Sequence, residues 1–139
     1  MKLLVDTNVI LDVVLQRAKW LDQSAALLDA IARGRAKGYV ASHAVTTIYY
    51  VTARANGRAA ARTAVADVLD ICNVVALASA DFQRALAVDI EDYEDAVQAA
   101  AALHVGANYL VTRNEKDFKG APVLVRSPAE VLPLLAAAK

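Results

Sequence analysis

The sequence is nearly without cysteine. Its single Cys72 has no intrachain partner, so no disulfide can support the fold, yet 139 residues are enough for one apolar core to do so unaided. No basic start followed by an apolar leader segment is present, and no uncharged apolar run approaches the roughly 20 residues needed to cross a bilayer. The expectation is one domain, residues 1–139, in a reducing, cytoplasmic setting and without a membrane. Two histidines, His43 and His104, make no metal-ligand pattern and are read as structural or peripheral. A glycine-rich phosphate loop and a nucleophile elbow are both missing, which ranks a small-molecule phosphate-handling enzyme last. Net charge is also lacking, with 15 basic against 15 acidic residues. That balance weakens the case for nucleic acid, but the halves differ. Residues 1–62 carry nine Lys and Arg against four Asp, and residues 63–139 carry six against eleven acids.

What is present alternates in period. Leu3-Leu4-Val5, Gly38-Tyr39-Val40, Val74 to Leu77, Tyr109-Leu110-Val111 and Val123-Leu124-Val125 are short apolar runs suited to buried strands. Between them lie helical spacings. Val9, Ile10, Val13 and Val14 form one, and Trp20 to Ile31 another, stopped by Gly34. Further helices are expected after Ser42, over 58–71, after a Ser79 cap, and over Asp92 to His104 before Gly106. Ser127-Pro128-Ala129-Glu130 has the form of a capping box, with Pro133 expected to shorten or kink the helix that follows. This order predicts a three-layer α/β/α sandwich with a short, mostly parallel central sheet.

In such sheets, sites form beyond the carboxyl ends of the strands. Three acidic features fall there. Asp6 closes the first strand in "LLVDTN"; taken alone it is best read as a helix cap, although Thr7 or Asn8 can cap instead. In "DIEDYEDAVQAAAALHVG", Asp92 and Asp95 lie three apart on one side of an Ala-rich helix, whose small side chains permit close packing. In "YLVTRNEKDF", Thr112, Arg113, Asn114 and Asp117 follow a strand; a lone Asx turn is the simpler reading of any one of them. Carboxylates gathered at one edge need a cation to offset their repulsion, and oxygen donors point to Mg²⁺ or Mn²⁺. Such ions activate water and stabilise the leaving oxygen in phosphodiester cleavage, which suggests a nuclease.

These three stretches, in this order, resemble the PIN domain, the small nuclease fold of VapC-type toxins in bacterial toxin-antitoxin pairs. The resemblance covers nearly the whole chain. It implies a metal-dependent endoribonuclease acting on RNA, a homodimer, and a cognate antitoxin partner. The family's first acid falls on Asp6 and the acid of its central helix on Asp95, with Asp92 as an additional metal ligand. Asn114 stands where many members place Asp, so Asp117 takes the third catalytic and metal-binding position. Thr7 and Thr112 resemble the hydroxyl residues that organise the site, with Asn8 beside them. On "ASHAVTTIYYVTAR" the family commonly carries Glu, and here that position is Thr47; no acid occurs from residue 30 to residue 66. The resulting loss of negative charge is expected to weaken metal binding, and it raises the alternative of a PIN scaffold that binds RNA or protein with little catalysis. Among basic residues, Arg113 is the first substrate-binding candidate, because it adjoins the acids. Tyr49-Tyr50 and Trp20-Leu21 are read as core before interface.

Overall fold

Leu3, Leu4 and Val5 are wholly buried in succession, which requires cover on both faces of their strand. In the computed structural model, which describes residues 1–137, they lie in β1 (Lys2–Val5), the central strand of a five-stranded parallel sheet. Its neighbours are β2 (Lys37–Ala41) and β4 (Tyr109–Val111), with β3 (Cys72–Val75) outside β2 and β5 (Val125–Arg126) outside β4. Alternate side chains of β1 enter opposite layers. Leu3 and Val5 pack with Val9 and Ile10 of α1 (Thr7–Val14), Leu27 and Ile31 of α2 (Leu21–Ala32), and Val68 of α4 (Arg58–Ile71). Ile48 of α3 (Ser42–Asn56) and Val131 of α7 (Pro128–Ala137) join that cluster. Leu4 and Leu110 face the other way, onto Ala99, Ala101 and Ala102 of α6 (Tyr93–Val105), with α5 (Ser79–Leu86) packed outside it. Among the described residues, no helix is long and apolar enough to cross a membrane.

Strand order decides where a site can form. The chain leaves β1 toward β2 and β3, then returns to β4 on the other side of β1, so a crevice opens between the carboxyl ends of β1 and β4. Val5 pairs with Val111, and the Asp6 N–H continues the ladder to the Val111 carbonyl at 2.9 Å. Asp6 and Thr112 therefore emerge side by side.

Several local expectations shift. The third strand is Cys72–Val75 rather than Val74 to Leu77, because β2 pairs with it in the register Gly38–Cys72 to Ala41–Val75 and leaves Ala76 and Leu77 unpaired. The last strand contracts to Val125–Arg126, since β4 alone can pair with it and is only three residues long. Ser79 is the first residue of α5 rather than its cap; the Asp81 carboxylate accepts the Ala78 N–H at 2.9 Å instead. The Ser127–Glu130 capping box forms reciprocally, at 3.0 and 3.2 Å, and α7 continues past Pro133 to Ala137. Tyr50 is 70% exposed rather than core.

Gly38 marks a close approach of α2 to the sheet. A Cβ there would lie 2.8 Å from Ile31 Cγ2 and 3.1 Å from Cys72 Sγ. Gly38→Ala is expected to destabilise the fold by about 1–3 kcal/mol through overpacking. Urea denaturation checks this, and an unchanged midpoint would show that α2 yields freely.

Candidate functional site

Asp6 occupies the N-cap position of α1, but its side chain makes no capping bond. Its carboxylate instead accepts the Thr112 hydroxyl at 2.9 Å, and the Thr112 Oγ1 accepts the Asn114 N–H at 3.1 Å. Burial pushes the Asp6 carboxyl up from its ordinary 3.8 to about 6, against the lowering effect of the Thr112 hydrogen bond. Thr7 is buried and its Oγ1 accepts from Gln98 Nε2 at 2.7 Å.

The α6 helix brings the second group. Asp92 is its N-cap and accepts the Asp95 N–H at 3.0 Å. Close packing of the Ala-rich helix half-buries Asp95 and sets it near other acids. Burial pushes its carboxyl up to about 7, reinforced by repulsion from Asp6, Asp92, Glu94 and Asp117. The 3-10 turn Glu115–Phe118 supplies Asp117: Phe118 is buried in the core under α6, which pins the turn while Asp117 stays exposed at the rim. Asp92, Asp95 and Asp117 line one open pocket of about 710 Å³. Lys116 and Lys119 are the basic residues that line it.

Other predicted residues have different surroundings. Arg113 Nε donates to Asp12 at 2.8 Å, and its guanidinium stacks over the Trp20 ring at 3.7 Å. Asp12 is fully buried and also receives Arg17 Nη1 at 3.3 Å, so Arg113 belongs to a buried ion pair. Asn114 Oδ1 and Asn8 Oδ1 lie 3.5 Å from Arg113 Nη1 and Arg17 Nη1. The Thr47 hydroxyl donates to the His43 carbonyl within its own helix.

Sequence reasoning missed Glu94, His43 and Gln98. Glu94 Oε2 lies 2.8 Å from His43 Nε2 and 3.4 Å from Gln98 Nε2. Gln98 carried a signal, a lone amide amid Ala four residues after Glu94, and the structure buries it wholly. The pairing of His43 with Glu94 spans 51 residues and carries none.

The donor chemistry fits a hard divalent cation. Among the described residues the oxygens of Asp92, Glu94 and Asp95 gather within 4.8 Å of one another; Asp6, which does not line the pocket, and Asp117 lie close enough for their charge to help raise Asp95, and Glu94 does the same to Asp6. The buried Gln98 Oε1 has no hydrogen-bond partner among the described residues, a polar atom left for something bound nearby.

A parallel α/β sheet with an acidic pocket at its topological switch point is a ligand-binding architecture of the doubly wound kind. A family model described as PIN domain matches residues 2–116, and the chain belongs to that family. A similar solved structure is the crystal structure of VapBC2 from Rickettsia felis bound to a DNA fragment from their promoter. It matches with a TM-score of 0.72 and 17% identity, over 91% of this chain and 98% of that chain, a likeness of fold. No curated protein matches the chain significantly.

Proposed function

We propose that this PIN domain is a metal-dependent endoribonuclease and the toxin component of a type II toxin-antitoxin pair in the cytoplasm. What supports this reading is that Asp95 shares one pocket with Asp92 and Asp117 and lies near enough to Asp6, at the end of β1, for that charge to help raise its carboxyl. Asp6, Asp95 and Asp117 would hold Mg²⁺ or Mn²⁺, with Asp92 in support. Such a cation, when bound, supplies Lewis-acid polarisation of a phosphodiester and acidifies water. Thr112 orients Asp6 through its hydroxyl, and Thr7 anchors Gln98 beside it. Lys116 and Lys119 at the pocket wall are suited to drawing in the RNA phosphates.

An antitoxin segment suits a second place. An apolar cleft of about 690 Å³ runs between α1, α2, α3 and α4, lined by Ile10, Val13, Leu28, Val68 and Ile71. The similarity to the Rickettsia felis structure, a VapBC2 assembly, supports a partner of that kind, and a homodimer is proposed with it. The absence of an acid at Thr47 favours a second reading, a PIN scaffold that binds RNA or protein without cleaving it.

The test is cleavage of a labelled RNA with Mg²⁺ or Mn²⁺ by the purified protein beside Asp95→Asn. The expected loss in the variant is at least about 100-fold, typical when a preorganised stabilising group is removed. Equal trace cleavage by both proteins would mean a contaminant, and RNA binding without cleavage would favour the scaffold.

A further inference from the structure

Glu94 enters the site from an unexpected side. One oxygen each of Asp92, Glu94 and Asp95 lie within 4.8 Å of one another, so positions 92, 94 and 95 at the start of α6 present a compact oxygen face. Clustering of acids at a helix start is ordinary by itself. What distinguishes Glu94 is how it is held. Its Oε2 takes the contacts from both His43 Nε2 on α3 and Gln98 Nε2 on α6, leaving Oε1 without a hydrogen bond among the described residues. A carboxylate only accepts, so both nitrogens carry hydrogen toward it, in keeping with the orientation in which the Gln98 amide is placed. The other atom of that amide, Oε1, is the buried oxygen without a partner. The Gln98 nitrogen also reaches Thr7 Oγ1 at 2.7 Å, next to Asp6 in the chain, so one amide ties the Glu94 carboxylate to the start of α1.

His43 and Thr47 are one turn apart on α3, with the Thr47 hydroxyl bonded to the His43 carbonyl at 3.3 Å. The face of α3 that lacks an acid at Thr47 therefore reaches the acidic site through His43.

We propose that Glu94 is a further carboxylate ligand of the candidate metal centre, and that His43 is the positioning residue that holds it there. This rests on the metal-dependent reading above and deepens it. The negative charge absent from α3 is delivered from α6, with α3 contributing the hydrogen-bond donor that aims it.

The test is calorimetric titration of Mn²⁺ alone into the metal-stripped full chain. Glu94→Gln, isosteric and on a half-exposed side chain, is expected to raise the Mn²⁺ Kd at least about tenfold, with Glu94→Ala as a second variant. His43→Ala is expected to raise it by about tenfold or more, the scale seen when a partner orienting a ligand is removed. In the Glu94→Gln background, His43→Ala is expected to change nothing, a non-additivity that a general structural role would not produce. An unchanged Kd in Glu94→Gln and Glu94→Ala, with binding lost in Asp95→Asn, overturns the role of Glu94 and leaves the metal centre standing. Equal weakening by His43→Ala in both backgrounds overturns the positioning role. Unchanged binding in Asp95→Asn as well overturns the metal-dependent reading itself.

Discussion

Asp6→Asn is expected to abolish RNA cleavage and, without metal at pH 7.5, to make the protein more stable by up to about 3 kcal/mol. The sign follows from the direction of the shift. Burial raises the Asp6 carboxyl from 3.8 to about 6, so the folded state binds its proton more tightly than the unfolded state does. Between those two values the unfolded chain carries fewer protons, and stability falls as pH rises through the window. Above about 6 the penalty is fully present; below 3.8 it is gone. Asparagine keeps the shape and can accept the Thr112 hydroxyl through its amide oxygen, while removing the buried charge. It also relieves Asp95, for which Asp6 is the foremost source of repulsion after burial itself. Urea denaturation of both proteins at pH 4 and pH 7.5 checks this: the gain should appear at pH 7.5 and shrink at pH 4. Added Mn²⁺ should stabilise the wild type and do little for the variant. A variant less stable than wild type at pH 7.5 would mean that the Asp6 carboxylate stabilises the metal-free fold. The instability comes chiefly from burying the charge, with repulsion from Glu94 added to it, and a bound cation would offset both.

Arg113→Ala is expected to cost about 3–5 kcal/mol of stability, the range for breaking a buried ion pair on one side. Asp12 is completely buried, and without Arg113 it would keep only the 3.3 Å contact to Arg17. The stack of the guanidinium on Trp20 would go too, removing packing between the end of β4 and the segment leading into α2. Thermal melts and urea midpoints measure the loss. The double variant Asp12→Leu/Arg113→Met should recover much of it, because replacing both partners leaves no uncompensated charge. If Arg113→Ala melts like wild type, Arg17 alone satisfies Asp12. For RNA cleavage the consequence is practical: lost activity in Arg113→Ala at a temperature where it unfolds says nothing about substrate contact, so the assay belongs below the variant's melting range.

Legibility of the fold varied with the kind of signal. Leu3-Leu4-Val5 was readable as a buried strand because three consecutive apolar residues satisfy only a position covered on both faces. The helices at 42–56 and 58–71 follow from their periodicity and from Gly57, whose positive φ of 92° separates them. The edge strands were less legible, since their extent depends on how much partner they find. Val123 and Leu124 are apolar enough for a strand, but β4 pairs only with Val125 and Arg126.

At the site, the residue types at strand and helix ends were visible in advance, and so was the expectation that Asp6, Asp95 and Asp117 share one edge of the sheet. Chain order and hydrophobic period determine this, because parallel strands joined by helices direct all their carboxyl ends the same way. What each polar side chain meets was decided by tertiary structure alone. The Asp6 carboxylate accepts a hydroxyl from 106 residues away in place of capping its own helix. Arg113 pairs with Asp12 across 101 residues, and His43 with Glu94 across 51. The physical reason is common to all three. Periodicity reports which face of an element is buried, whereas a hydrogen bond between elements depends on the register and layer in which they pack, and those are set only when the sheet assembles.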